Sequence, residues 1–320
     1  LNGEGIKMLE LDIECQTADG KPQILIIDDS IEVIRSLSAL LSDKAEILFA
    51  TSPEKGIYIA NKIRPDLILL DVEMPLMDGF EVCRRLKSDP ITCDSVVIFV
   101  TGHSNSEHEV AALHAGAIDF LSKPLVPAVV RARVQTHLSL IEKTKLLTRL
   151  AKYDGLTGIY NRRYFDTQLS EELRRHQRQS ISLGLAIVDI DHFKDYNDGY
   201  GHLRGDTCLR NVAQLINSAT RRPGEVVARY GGEEFAIILP SIEESSANNY
   251  GDWICEQVRA VKFGHAFSPI ADIVTVSVGV AAFVPTQHDM PKDIVGLADQ
   301  ALYLAKANGR NRGEFLLRNA

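Results

Sequence analysis

Five short apolar runs in the first 125 residues constrain the fold most: Ile24–Ile27, Ile47–Ala50, Leu67–Leu70, Val96–Val100 and Ala117–Leu121. An amphipathic helical pattern separates each run from the next. Runs this short and this continuously apolar suit parallel strands buried on both faces, and their alternation with helices specifies a doubly wound five-stranded α/β sheet. Such sheets gather their chemistry at the carboxyl ends of the strands. The residues that stand there are polar: Asp28 and Asp29, Asp71, Thr101, and Lys123 followed by Pro124.

Three carboxylates meeting at one sheet edge repel one another unless a cation joins them, and all-oxygen ligands imply a hard ion such as Mg²⁺. With that ion and the Lys123 ammonium nearby, a phosphoryl group moved to Asp71 has its charge neutralised, and the Thr101 hydroxyl can hydrogen-bond a phosphate oxygen. Residues 23–126, with Asp28-Asp29, Asp71, Met74-Pro75, Asp78-Gly79, Thr101, Phe120 and Lys123-Pro124, resemble a response-regulator receiver domain of flavodoxin-like fold. The resemblance implies that Asp71 is the phosphoacceptor and that a sensor histidine kinase is the phosphodonor. It implies a Mg²⁺ (or Mn²⁺) site from Asp28, Asp29, Asp71 and the Glu73 backbone carbonyl. Lys123 becomes the phosphate partner, Thr101 and Phe120 the switch pair, and the Lys123-Pro124 bond cis. Phe at 120 departs mildly from the commoner Tyr.

From Pro127 the helical pattern continues to Lys152 without a glycine or a further proline. A helix over 127–152 is roughly 35–40 Å long, at ~1.5 Å per residue, more than a receiver needs to close its sheet. Val130, Val134, Leu138 and Ile141 form one stripe, and Leu140, Leu147 and Leu150 a neighbouring one. Two readings stay open: a two-stranded coiled-coil or bundle connector, and a solvated spacer.

In the second half, Leu183–Val188 reads as a buried strand delivering Asp189-Ile190-Asp191, and Val226–Ala228 and Ile237–Leu239 as strands joined by a hairpin at Gly231-Gly232-Glu233-Glu234-Phe235. A tight hairpin suits two glycines in positive φ, yet nothing about a turn requires two carboxylates beside them. A helix over residues 161–178, one starting near Asp206, a strand over 273–280, a helix from about Asp293 and a closing strand near Phe315 complete an α+β, palm-like expectation. There, Asp189 at a strand end faces Glu233 in the adjoining hairpin, a pairing suited to two-metal nucleotidyl transfer. Asn197 and Asp206 offer what a guanine edge needs, and Lys306 and Arg310, one helical turn apart, suit a polyphosphate.

Residues 153–320 resemble a GGDEF domain, the diguanylate cyclase family, with Glu in place of Asp at 233. The matching stretches are Asp154–Thr157, Asp189–Lys194, Asn197-Asp198, Gly201-His202, Gly205-Asp206, Gly231–Phe235 and Ala305–Asn311. The resemblance implies condensation of two GTP into cyclic di-GMP with release of two pyrophosphates. It implies Mg²⁺ (or Mn²⁺) on Asp189, the Ile190 carbonyl and Glu233. GTP would lie against Phe193, Lys194, Asn197, His202, Asp206, Gly231, Gly232, Lys306 and Arg310. Glu234 either deprotonates the attacking hydroxyl or serves the metal. The family's inhibitory product site, Arg-x-x-Asp, reads Arg222-Pro223-Gly224-Glu225 here, one methylene longer, so product inhibition stays open.

Two domains fit the 320 residues, and 45% apolar with 24% charged residues is a soluble balance. A net charge of −8 disfavours nucleic-acid and membrane partners. Five scattered cysteines without a C-x-x-C pair point to reduced thiols in a cytoplasm. Residues 1–22 read as a mobile leader. A two-fold product made by domains with one guanine pocket each implies a homodimer or larger homo-oligomer. The alternative is a non-catalytic effector that binds GTP or cyclic di-GMP.

Overall fold

The computed structural model describes residues 21–102, 114–220 and 222–318. All but the last two residues of the expected leader, and residues 103–113 of the helix expected between Thr101 and Ala117, lie outside them. The chain divides into two units, Leu1–Lys145 and Leu146–Ala320.

In the first unit β1 (Gln23–Ile27), β2 (Glu46–Ala50), β3 (Leu67–Asp71), β4 (Val96–Thr101) and β5 (Asp119–Ser122) form an all-parallel sheet in the order β2-β1-β3-β4-β5. Residues 24–27 and 67–70 have no exposure, as strands covered on both faces must. Among the described residues the covering helices are α1 (Ile31–Leu41), α2 (Pro53–Ile63), α3 (Gly79–Ser88) and the first part of α4 (Pro127–Lys152). One core layer lies beneath α2 and α3 and the other beneath α1 and α4.

The helix α4 spans the connector range, and the structure separates its two stripes. Val130, Val134 and Leu138 are buried against the sheet with Ile141 beside them. Leu140, Leu146, Leu147 and Leu150 are 56–67% exposed. The first stripe therefore closes the first unit, and the second is exposed.

The second unit is a six-stranded mixed sheet in the order β11-β10-β7-β9-β8-β6. Its strands are β6 (Tyr160–Asn161), β7 (Leu183–Ile190), β8 (Val226–Gly231), β9 (Glu234–Pro240), β10 (Val276–Phe283) and β11 (Gly313–Leu317). One face carries α5 (Arg162–Gln179) and α9 (Pro291–Ala307). The other carries α6 (Phe193–Tyr200), α7 (His202–Ala219) and α8 (Glu244–Val261). Three expected boundaries move. The strand expected at 273–280 is Val276–Phe283, in register with β7 from Leu183 to Ile190. The helix expected near Asp206 begins at His202, because Gly201 at φ 82 ends α6 and starts α7 without a loop. In the hairpin only Gly232 has positive φ, at 51, and the two-residue turn is Gly232-Glu233, since Gly231 still pairs with Glu234.

The docking of α9 on β10 depends on Gly279. A Cβ there would lie 2.1 Å from the Leu302 nitrogen and 2.3 Å from the Ala298 carbonyl oxygen, both backbone atoms that cannot swing aside. Gly279→Ala is expected to lower the thermal stability of the second unit by at least ~1–3 kcal/mol, measured by calorimetry of the full chain.

Candidate active site and phosphoacceptor pocket

The ends of β1, β3 and β5 contribute side chains to a common pocket. Asp28 and Asp71 are almost wholly buried, Asp29 is exposed, and the three can bring ligand oxygens within 4.8 Å of one another. Lys123 Nζ lies 3.1 Å from Asp28 Oδ2 and 3.0 Å from Asp71 Oδ2. The Ser30 N–H donates to Asp28 Oδ1 at 2.8 Å and the Glu73 N–H to Asp71 Oδ1 at 3.4 Å, which orient the carboxylates. One ammonium for three acids leaves a negative, oxygen-lined cleft, so the donor set fits a hard divalent cation. Burial and the neighbouring Asp28 push the Asp71 carboxyl up against the opposing pull of Lys123. The Lys123-Pro124 bond is cis, and the Lys123 N–H donates to the Thr101 carbonyl at 2.7 Å.

Sequence reasoning missed the link from this pocket's last strand to α4. Arg133 donates to the Phe120 carbonyl at 3.0 Å, pairs with Asp119 and lies 5.5 Å from the Phe120 ring centroid. His137 Nε2 is 3.0 Å from Asp119 Oδ2. These residues come from two elements with no shared periodicity, so no motif announces them.

In the second unit the carboxylates are sorted by strand parity. Leu183, Leu185 and Ile187 of β7, and Ala236 and Ile238 of β9, lie in the core layer beneath α5 and α9. Asp189 and Glu234, the next members of the two series, face the same side and are direct cross-strand partners. Glu233 sits in the turn, and its carbonyl accepts the Ile190 N–H at 3.4 Å. Both acids are therefore beside Asp189, but the one opposite it in the ladder is Glu234. Burial raises the Asp189 carboxyl, Lys306 opposes that, and Glu233 and Asp191 add to it. Glu234 is likewise raised, by burial first and then by Asp189. Lys306 is the ammonium among these acids, whereas three ligand oxygens converge within 4.8 Å, among the described residues, only at Asp28, Asp29 and Asp71.

Lys306 Nζ forms an ion pair with Asp189 Oδ2 at 2.8 Å. Arg310 does not share its helix face. The helix ends at Ala307, Gly309 has φ 109, and Arg310 itself is left-handed, its N–H closing onto the Ala305 carbonyl at 3.0 Å. Across the α6–α7 corner Asn197 meets Gly205, the residue before Asp206. Asn197 packs on Gly205, where a Cβ would sit 1.8 Å from its Oδ1, and that oxygen is buried with no hydrogen-bond partner among the described residues. Asp206 is half-buried, whereas Lys194 and His202 are exposed at the starts of α6 and α7. Phe193 is a core residue, 6% exposed, so only its backbone is free to meet a ligand. Asp191 is structural: Thr275, Ser277 and the Asn311 N–H all donate to it.

The hairpin is held by Arg229, which no motif singles out. Arg229 donates to the Gly232 carbonyl through Nε at 2.9 Å and Nη2 at 2.8 Å, and reaches Asp154 Oδ1 at 3.2 Å. Burial works against ionisation of Asp154, but Thr157 and Arg229 outweigh it and hold the carboxyl below its usual range.

The family model for the GGDEF domain of diguanylate cyclases matches residues 151–312, and that for the response regulator receiver domain matches residues 24–135. The chain belongs to the GGDEF family. It is a response regulator whose receiver domain precedes the GGDEF domain. It is 31% identical over 296 residues to the response regulator PleD of Caulobacter vibrioides, covering 90% of this chain and 64% of PleD, so it spans less than two thirds of that relative. It is 31% identical over 283 residues to the diguanylate cyclase VdcA of Vibrio cholerae, covering 88% of this chain and 71% of VdcA. The second unit resembles the coiled coil and GGDEF domain of DgcB from Caulobacter crescentus, solved in complex with c-di-GMP, at a TM-score of 0.53 and 33% identity over 59% of this chain and 98% of that one. Among the described residues no helix is long and apolar enough to cross a membrane.

In this GGDEF domain Arg222 and Glu225 form a closed turn. The Arg222 N–H donates to Glu225 Oε2 at 2.9 Å, and the Glu225 N–H to the Arg222 carbonyl at 3.1 Å. Both line a cavity of ≈ 580 Å³ with Asn249, Tyr250 and Trp253. The longer Glu side chain thus reaches its own turn's backbone, and burial raises its carboxyl.

Asp71→Asn should raise the receiver's unfolding midpoint at pH 7 in EDTA, because it removes a charge that burial penalises. The folded-state value is raised, so the acid is disfavoured in the fold at high pH and neutral in both states at low pH. The gain should therefore vanish as pH falls from the raised value through 3.8, the ordinary value, followed by thermal melts across that range.

Proposed function

We propose that the chain is a phosphorylation-regulated diguanylate cyclase that condenses two GTP into cyclic di-GMP and two pyrophosphates. The observation that carries this reading is the edge where Asp189 and Glu234 face each other across the ladder with Glu233 in the adjoining turn. Asp189, the Ile190 carbonyl and Glu234 would hold Mg²⁺ or Mn²⁺, which when bound would offset triphosphate charge. Glu234 is the cross-strand partner of Asp189, which supports it in that set in place of Glu233, with Glu233 acting as the base.

Within this reading Asn197 and Asp206 recognise guanine: the carboxylate accepts from the ring N–H and exocyclic amine, and the amide meets the carbonyl side. The uncapped N–H groups of Phe193 and Lys194 at the start of α6 receive phosphate oxygens, aided by the helix dipole. Lys306 and Arg310 complete the phosphate contacts from outside the helix start, with Gly231 and Gly232 admitting the chain and His202 at the base-binding corner. Glu233 takes the proton from a 3′-hydroxyl. That oxygen then bonds to the α-phosphorus of the facing GTP, and the bond to the β-phosphate breaks to release pyrophosphate.

Each chain carries one such guanine corner, in its second unit, and the product has two-fold symmetry, so two chains must meet. The exposed Leu140, Leu146, Leu147 and Leu150 offer the dimerising stripe on α4. Phosphorylation of Asp71, from a sensor histidine kinase, acts on Thr101 and Phe120. It reaches α4 through Arg133 and His137 of that helix, which bond Phe120 and Asp119 of β5.

With GTP and Mg²⁺ the wild type should yield cyclic di-GMP on chromatography, and none in either phosphorylation state would favour a nucleotide-binding effector. Glu233→Gln should lower kcat by about 10²–10⁴-fold at saturating metal. Glu234→Gln should instead raise the metal concentration needed for half-maximal rate. Beryllofluoride, an acyl-phosphate mimic, should increase both self-association in analytical ultracentrifugation and turnover; no change in either would refute the coupling.

A further inference from the structure

We infer that His265 is a positioning residue for the phosphates of GTP, acting through the peptide bond between His192 and Phe193; the inference rests on the GTP reading above. The loop between α8 and β10 folds across α6. Its Phe267 ring packs on Gly199, where a Cβ would lie 2.2 Å from the ring, and its Ala266 N–H donates to the Tyr200 hydroxyl at 2.9 Å. The loop is braced internally by the His265 N–H on the Asp272 carbonyl at 2.8 Å and the Val274 N–H on the Phe263 carbonyl at 2.7 Å. His265 has no exposure and stands edge-on to Tyr196 at 5.1 Å.

The two ring nitrogens have different surroundings. Nε2 lies 3.2 Å from the His192 carbonyl oxygen, and Nδ1 is buried without a partner among the described residues. A carbonyl can only accept, so Nε2 carries the proton and Nδ1 is bare. Burial also disfavours the charged ring.

His192 is the residue that needs holding. It is the N-cap of α6, at φ 53, in the left-handed region that a non-glycine residue adopts only when its surroundings impose it. Its side chain is drawn away to Asp195 Oδ2 at 3.0 Å and caps none of the first amides. Its carbonyl accepts from the Tyr196 N–H at 3.1 Å and from His265. That carbonyl and the Phe193 N–H belong to one planar peptide unit, so fixing the oxygen aims the N–H. His265 thereby orients the first donor of the helix start, three residues beyond Ile190, without touching the nucleotide itself.

The test is calorimetric binding to the full chain of two ligands with Mg²⁺: the α,β-methylene analogue of GTP, which cannot be cleaved, and guanosine. His265→Phe keeps a ring but removes the donor, and should bind the analogue about tenfold more weakly while holding guanosine within about twofold. His265→Gln, which restores an N–H, should recover most of the loss. Unchanged analogue affinity in the Phe variant, or equal weakening of both ligands, overturns the inference and leaves the GTP reading standing. A wild type that binds neither ligand takes down both. A measurement on the unmutated chain makes the outcome independent of whether the variants fold. Nitrogen NMR should show His265 protonated at Nε2 and perturbed by the analogue but not by guanosine. A ring protonated at Nδ1, or blind to the analogue, overturns it.

Discussion

Each of the two units buries a carboxylate at the end of a strand and answers it with one lysine from elsewhere in the same unit: Lys123 for Asp71, Lys306 for Asp189. Taking an acid out of water is costly, and one ammonium among three carboxylates does not balance the charge. Both sites remain net negative with their acids pushed towards protonation. In the first unit that tension sits where three ligand oxygens converge within 4.8 Å. The surrounding apolar layers maintain it, because residues 24–27, 67–70 and 185–188 leave almost no route for solvent relaxation.

The second unit adds a hairpin that must hold its acids at a set height above the ladder. Two-residue turns move readily unless tied down, and here Arg229 spends three of its donors on the Gly232 carbonyl and Asp154. Asp154 lies two residues beyond the end of α4, so the first turn of the second unit and its acidic hairpin share one guanidinium. The same economy recurs on the opposite face of that sheet, where one His192 carbonyl serves both Tyr196 and His265.

Where sequence patterns carried the architecture, they did so through periodicity and chain order. The five parallel strands, the acids at their ends, the range of α4 and the hairpin around Gly231 were all legible from apolar runs and the residues that punctuate them. The misreadings have local causes. Arg310 left the face of Lys306 because Gly309 ends the helix before it. The helix expected near Asp206 began at His202 because Gly201 joins two helices without a loop. Gly231 kept an extended partner, so the turn moved one residue onward and took Glu233 with it.

By itself the sequence determined which chemistry each half carries, since strand-end acids, glycine turns and lysines are specified residue by residue in chain order. Tertiary structure alone decided how those groups are shared. The β7–β9 register set Glu234 rather than Glu233 opposite Asp189. Packing on the receiver buried Val130, Val134 and Leu138 and left Leu140, Leu146, Leu147 and Leu150 exposed. Arg229, Arg133 and His265 acquired partners on distant elements. Pairings between residues tens of positions apart depend on register, helix ends and close approach at glycine, which are properties of the packed chain and leave no periodic trace in the sequence.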